Sequence, residues 1–149
     1  MTSDPYQSLQ DVLQKQGLKA GLAFLNERVP HRFTAIYRLD NMLLRQVELV
    51  DKGGSPVDVA ALEAIPLETS FCQFVLSDGQ FTTSQSASDS RLDGHPYQGV
   101  VDSYIGLPLQ GDGDKLFGTF CHFDFCEQPV NDEEFAFLQR VVRLLPRYL

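Results

Sequence analysis

The sequence predicts an α+β fold in which helices pack on an antiparallel sheet. Two pairs of strand-like segments are each joined by a short turn, which predicts two β-hairpins. Apolar residues recur at helical spacing near both ends of the chain, which predicts terminal helices. The segment 116–125 is apolar on both faces, a pattern typical of a strand at the centre of a sheet. The length of 149 residues indicates one domain, residues 1–149.

The first helical region is predicted over residues 6–28. Gly17 and Gly21 weaken the helix and can divide it into two, and Pro30 ends it. The apolar residues that support this prediction are Leu9, Val12, Leu13, Leu22 and Leu25.

The first hairpin follows this helical region. Residues 32–39 alternate between apolar and polar side chains, as expected for a strand with one buried face. Asp40 and Asn41 form a plausible turn, and residues 43–50 form the return strand. Residues 57–65 form either a short helix or an irregular crossing, and the pattern does not decide between them.

The middle of the chain is predicted to contain short elements. Thr69 or Ser70 can cap a short helix over residues 71–76. Residues 80–83 form a short strand. A polar segment follows, with one short helix expected near residues 96–101.

The second hairpin consists of strands over residues 103–109 and 116–125, joined by a loop over residues 110–115. Gly106 and Gly118 lie on these two strands and permit a close approach of backbone or ligand.

The last helix begins near Asn131, which can cap it, and Glu134 stands at the spacing of a capping box. Pro146 ends the helix. Its buried stripe is predicted to be Phe135, Leu138, Val141, Val142 and Leu145. The two terminal helical regions each have one apolar stripe, so they can share one face of the sheet.

The amino-acid composition excludes several classes of function. The net charge of −8, from 12 Lys and Arg against 20 Asp and Glu, repels a phosphate backbone and argues against nucleic-acid binding. Three sparse cysteines, Cys72, Cys121 and Cys126, suit a reducing compartment better than a disulfide framework. The polar start, Met1–Asp11, lacks a signal-peptide pattern, and no segment reaches membrane-spanning length. We therefore expect a cytoplasmic protein without a membrane partner.

Over residues 18–145 the chain resembles a GAF domain. The resemblance depends on the order and spacing of several short motifs. They are Ser70-Phe71-Cys72, Asp78-Gly79, Ser88 to Leu92, Ser103 to Leu109, Asp112-Gly113, Leu116 to Asp124, and the closing helix from Asn131 to Leu145.

The resemblance implies a GAF/PAS-like central antiparallel sheet with the terminal helices on one face and a pocket region on the other. In this family the pocket, here under residues 57–102, often holds a cyclic nucleotide, a tetrapyrrole, haem or another small ligand. It also implies signalling and frequent homodimerisation through the terminal helices. Since no effector segment follows Leu149, we expect an output through a signalling partner protein.

Two thiol functions are known in this family, and the sequence departs from the pattern that each requires. Cys121-His122 superficially resembles the Cys-His pair of bilin-binding relatives, but it lies on the final strand rather than on the preceding helical segment. Cys72 lies near one cysteine of the free methionine-R-sulfoxide reductases, yet residues 86–103 contain no partner cysteine. Both cysteines are expected to be packed, inert residues, so no catalytic residue is assigned.

Charged ligands and metals have few candidate residues. His122 and Asp124 share a strand face, but the histidines and cysteines show no metal-binding spacing, so no metal is expected. His95 precedes Pro96 in a polar loop and is expected to be exposed. Arg91 is the one cation placed to bind a cyclic phosphate, although it can equally pair with Asp89 or Asp93.

The leading hypothesis is therefore a sensor of an unidentified small molecule. The residues assigned to ligand binding are Cys72, Phe74, Phe81, Arg91, Tyr104, Phe120 and His122. The alternative is an interaction module with a vestigial pocket, since the apolar residues of the last helix, including Phe137, are too many for one narrow face and suggest a dimer interface. A thiol redox enzyme centred on Cys72 is the third class.

Overall fold

The computed structural model describes residues 4–53, 63–111 and 115–149. Within these ranges the helices are α1 (Pro5–Gln16), α2 (Leu18–Glu27), α3 (Cys72–Asp78) and α4 (Asp132–Leu144). The strands are β1 (Phe33–Asp40), β2 (Leu43–Asp51), β3 (Ala64–Pro66), β4 (Phe81–Thr83), β5 (Ser103–Gln110) and β6 (Leu116–Asp124).

The strands form one antiparallel sheet in the order β3-β2-β1-β6-β5-β4. Both predicted hairpins are present, β1 with β2 and β5 with β6. β6 pairs with β1 on its other side, so the doubly apolar strand lies at the centre, as its sequence predicted.

Each face of the sheet carries its own apolar core. The face that we call the helix face presents Ile36, Ile105 and Phe120 to residues of α1, α2 and α4. The opposite face, which we call the pocket face, packs Tyr37 and Cys121 among residues of α3 and the segment that follows it. Alternation along each strand divides the side chains between the two cores. The α+β architecture is therefore confirmed, with the terminal helices together on one face.

The N-terminal helical region is divided at Gly17, whose φ of 95° favours glycine. Gly21 lies inside α2 and has a different role. A Cβ there would lie 2.3 Å from Cδ2 of Leu13, so the missing side chain lets α1 and α2 pack closely.

The C-terminal helix begins as predicted, with Asn131 Oδ1 accepting a hydrogen bond from the Glu134 backbone N–H at 3.0 Å. The Glu134 carboxylate pairs with Arg28, 2.8 Å away, and so ties α4 to the end of α2. Part of the predicted stripe is wrong. Phe137 and Leu144 are buried, whereas Phe135 and Val142 are only half-buried.

Two predictions for the middle of the chain are wrong. α3 has no side-chain cap, because the Ser70 hydroxyl donates to the carbonyl oxygen of Leu67 instead. Residues 96–101 form successive turns rather than a helix, since Gly99 has a φ of 76°. Local side-chain bonds favour tight turns in this polar segment, and short 3₁₀ turns occur at Ser86–Ser88 and Ser90–Leu92.

Two other predicted features fall partly outside the described residues. Of the crossing at 57–65, residues 57–62 are not described, and Ala64 begins β3, so the described end is a strand. The turn at Asp112-Gly113 also lies outside the described ranges. No helix in the described part of the chain is long and apolar enough to cross a membrane.

Candidate functional site

α3 places the Cys72 thiol against the centre of the pocket face. Its Sγ lies 3.2 Å from Tyr104 Oη on β5 and 3.2 Å from Thr119 Oγ1 on β6. Gly106 makes this approach possible, because a Cβ there would lie 2.6 Å from Cγ2 of Val75 on α3. The glycine therefore sets the distance between α3 and the sheet, a role the sequence indicated for it only in general terms.

The thiols of the chain are not activated. Burial raises the pKa of Cys72 and raises that of Cys121 well above its usual range. The pKa of the exposed Cys126 is raised as well, first by desolvation and then by the nearby Asp124 carboxylate. A nucleophilic cysteine needs the opposite shift, so these thiols are protonated at neutral pH.

Six rings extend from the sheet to the surface on the pocket face, and we call them the aromatic layer. Their centroids are separated by 5.5 Å for Phe71 and Tyr104, 4.7 Å for Phe71 and His95, and 6.1 Å for His95 and Tyr97. The layer comprises Phe71, Phe74, Phe81, His95, Tyr97 and Tyr104.

The aromatic layer becomes more exposed away from the sheet. Tyr104 and Phe81 are buried, Phe74 and His95 are half-buried, and Tyr97 is 37% exposed. Edge-to-face and tilted ring contacts stabilise such a stack beyond the area that it buries. Among the six rings, Tyr97 therefore presents the most surface to solvent.

His95 holds the outer part of the layer in place. Its Nδ1 accepts a hydrogen bond from the Tyr97 backbone N–H at 3.0 Å, which leaves Nε2–H to donate to the Ser70 carbonyl oxygen at 3.3 Å. The expectation that His95 is exposed is wrong, since it is half-buried between Phe71 and Phe74. Its partner Ser70 is 25 residues away in sequence, so no spacing pattern signalled this role.

Arg91 lies at the edge of the pocket face and is already paired. Its Nε donates to Asp89 Oδ1 at 2.9 Å, and its Nη2 donates to the Thr82 carbonyl oxygen at 2.7 Å. The guanidinium also covers the Phe81 ring, 4.6 Å from its centroid. Arg91 lowers the pKa of Asp89 to about 2. This ion pair matches the alternative interpretation of Arg91 rather than a phosphate site.

The seven residues assigned to ligand binding do not converge on one site. Cys72, Phe74, Phe81 and Tyr104 lie together on the pocket face, with Arg91 at its edge. Phe120 and His122 lie on the helix face, buried beneath the terminal helices. They therefore cannot share a site with Cys72, and the sequence had left open which strand faces line the pocket.

Metal-binding geometry is not found in the described ranges. No group of three or more His, Cys, Asp or Glu side chains there is placed to hold a metal ion. Asp124, which shares a strand face with His122, accepts hydrogen bonds from the Arg32 backbone N–H and from Gln128 Nε2, both at 3.1 Å.

The sequence matches no protein-family model. No curated protein has a significantly similar sequence.

Solved structures resemble the fold along nearly the whole chain. The GAF domain of a phosphoenolpyruvate-protein phosphotransferase from Acinetobacter superposes with a TM-score of 0.73 at 15% identity, covering 99% of this chain and 94% of that one. The phycocyanobilin-bound GAF domain of a cyanobacterial phytochrome gives 0.72 at 15% identity, covering 99% and 94%. Free methionine-R-sulfoxide reductase from Neisseria meningitidis gives 0.73 at 16% identity, covering 99% and 92%.

These identities are too low to transfer a function, but the TM-scores of 0.72–0.73 over 99% of this chain show a shared fold. They agree with the resemblance first seen in the short motifs from Ser70 onward. The chain therefore has the GAF fold.

Proposed function

We propose that this protein is a small-molecule sensor that acts through a partner protein, and that its ligand binds against the aromatic layer. The observation that carries the proposal is the gradient of exposure through the layer. Tyr104 is anchored in the pocket-face core, whereas Tyr97 is 37% exposed. Binding sites are mostly apolar, with a few placed polar groups. Gln73, which is half-buried beside His95, supplies such a group.

The ligand is proposed to be uncharged and flat. The nearest described cation is Arg91, which is held by Asp89 and the Thr82 carbonyl oxygen. Releasing Arg91 for an anionic ligand would leave Asp89 without its main partner. Rings of Phe, Tyr and His favour stacking with a planar molecule. The phytochrome relative of the same fold carries a bound phycocyanobilin, which supports ligand binding by this architecture.

An interaction module is the second candidate, and one observation favours it. Val100 is 51% exposed in the same turn segment as Tyr97, so the outer layer is an apolar surface available to a protein. The argument for a dimer from excess apolar residues on α4 is weakened, because Leu138 and Leu145 are buried within the chain. A homodimer and a cytoplasmic location stay predictions.

A thiol reductase has less support. The reductase from Neisseria meningitidis has the same fold, but the pKa of Cys72 is raised by burial in this protein. A protonated, buried thiol is a poor nucleophile. An absence of methionine sulfoxide turnover by the wild type, or equal turnover by the wild type and Cys72→Ala, would remove this class.

The test is a thermal-shift screen with planar metabolites, namely nucleobases, indoles and flavins, followed by two variants. Tyr97→Ala removes the most exposed ring of the layer. Leu116→Ala removes an apolar side chain of similar exposure, 43%, on β6 outside the aromatic layer. We expect a compound that raises Tm for the wild type and Leu116→Ala but not for Tyr97→Ala. Equal shifts in both variants would contradict the proposed site.

A further inference from the structure

Two histidines form a buried pair on the helix face, where α2 meets β1. His31 lies in the connection between these elements, and His122 lies on central strand β6. Both have no exposed surface, and their ring centroids are 6.1 Å apart with planes inclined by 28°. Asn26 and Thr34, also buried, complete what we call the histidine pair cluster.

Three ring nitrogens of the cluster lack a hydrogen-bond partner. They are Nδ1 and Nε2 of His31 and Nε2 of His122. The remaining nitrogen, His122 Nδ1, lies 2.6 Å from Thr34 Oγ1, which also accepts a hydrogen bond from Asn26 Nδ2 at 2.7 Å. Buried polar atoms without partners are rare in native proteins, so each of these nitrogens requires a physical explanation.

The surroundings of the cluster favour neutral rings. The Phe120 ring packs edge-on against His122 at 5.0 Å. Burial lowers the pKa of His31 to about 4 and that of His122 well below its usual range. Lys52 lowers both pKa values further, while the Asp124 carboxylate acts in the opposite direction on His31.

Every charged group that acts on the cluster is already engaged. Lys52 Nζ donates to the carbonyl oxygen of Asn26 at 2.8 Å, at the end of α2, and Glu27 also acts on this ammonium group. Asp124 accepts from the Arg32 backbone N–H at 3.1 Å. Within the described residues, no carboxylate accepts a hydrogen bond from a ring nitrogen of His31.

We propose that the histidine pair cluster is a proton-operated latch for the α2–β1 connection, closed when both rings are neutral and opened when His31 binds a proton. His122 is fixed by strand pairing on both sides of β6, opposite Thr34 and Ile105. His31 belongs to a short connection, so it is the member that moves. The imidazolium reaches water only if this connection and the last turn of α2 leave the sheet.

The size of the response follows from proton linkage. His31 has a pKa of about 4 in the closed state and regains its ordinary pKa of 6.5 in the open state. A fall in pH therefore raises the population of the open state relative to the closed state. For His31 alone, the opening equilibrium rises about tenfold between pH 7.5 and pH 5.5. The response is local, because the latch concerns only the end of α2 and the connection that follows it.

Hydrogen exchange with mass spectrometry tests the latch. After correction for the intrinsic pH dependence of exchange, peptides covering residues 22–32 are expected to exchange about tenfold faster at pH 5.5 than at pH 7.5, while β5 stays protected. His31→Leu removes the titrating ring without breaking a hydrogen bond and should abolish the increase. His95→Gln changes the histidine on the opposite face of the sheet and should leave the increase in exchange at pH 5.5 unchanged.

Three results would overturn the proposal. They are an unchanged exchange rate in the wild type, the same increase in His31→Leu, and a loss of protection spread evenly over the sheet. If His31→Leu does not fold, nitrogen-15 NMR of the wild-type imidazole rings decides the question. Titration of His31 with a pKa near 6.5 in the folded protein would exclude the latch, whereas titration below pH 5 would support it.

Discussion

The position of α3 over the sheet depends on a missing side chain, and Gly106→Ala tests this dependence. The added Cβ would lie 2.6 Å from Cγ2 of Val75 and 2.5 Å from Cε1 of Tyr104, both far inside normal contact distance. Overpacking of this kind costs about 1–3 kcal/mol, because α3 or the Tyr104 ring must move. For a chain of 149 residues, each kcal/mol lowers Tm by about 2–4 °C.

The displacement should also expose the thiol beneath α3. In the wild type, Cys126 is exposed while Cys72 and Cys121 are buried, so we expect one thiol to react rapidly with a disulfide reagent. In Gly106→Ala we expect a lower Tm together with faster reaction of Cys72. Gly111→Ala is the control, since among the described residues a Cβ there meets only the Lys115 carbonyl oxygen, at 3.8 Å. Equal stability and equal thiol reactivity of the two variants would refute this account of Gly106.

Three further predictions concern pairs and packing elsewhere. Asp89 has a folded-state pKa of about 2, below its ordinary 3.8. Its contribution to the free energy of unfolding is therefore present above pH 3.8 and is lost as the pH falls through 2. Because the partner side chain is 56% exposed, Arg91→Met should cost only about 1 kcal/mol at pH 7, and urea unfolding should show a smaller difference from wild type at pH 2. Asn131→Ala removes the cap of α4 and should lower the free energy of unfolding by about 1 kcal/mol, whereas Asn131→Asp should retain most of it. Leu144→Ala should lower the free energy of unfolding by about 2–5 kcal/mol, and Val142→Ala should lower it clearly less, since of the two only Leu144 is fully buried. A larger loss for Val142→Ala would instead support the buried stripe that the sequence predicts for α4.

Regular elements could be predicted because each has a local period. Successive residues of a strand face opposite sides of the sheet, so every second residue meets the same core. This rule produces the alternation along Phe33–Asp40 and the apolar residues on both faces of Leu116–Asp124. The cap at Asn131 is equally local, since donor and acceptor are three residues apart. Ends of helices were less certain, as the break at Gly17 shows, because several residues permit a break and packing selects one.

The candidate site could be predicted only in part. Alternation pairs Phe120 with His122 on one face, but it does not say whether that face meets helices or a pocket. Cys72, Phe74, Phe81 and Tyr104 lie together on the pocket face, and their role in ligand binding stays a prediction. His95 was missed, since its bonds to Ser70 and Tyr97 join turns that have no repeating pattern.

Native mass spectrometry of the protein purified gently from its own host tests the central claim most directly. We expect a stoichiometric mass increment above the 16.7 kDa chain, and release of an uncharged, flat molecule on denaturation. Tyr97→Ala should lose this increment, because the outer ring of the aromatic layer is proposed to contact the ligand. A protein that carries no small molecule, and whose Tm no planar metabolite raises, would contradict the sensor function.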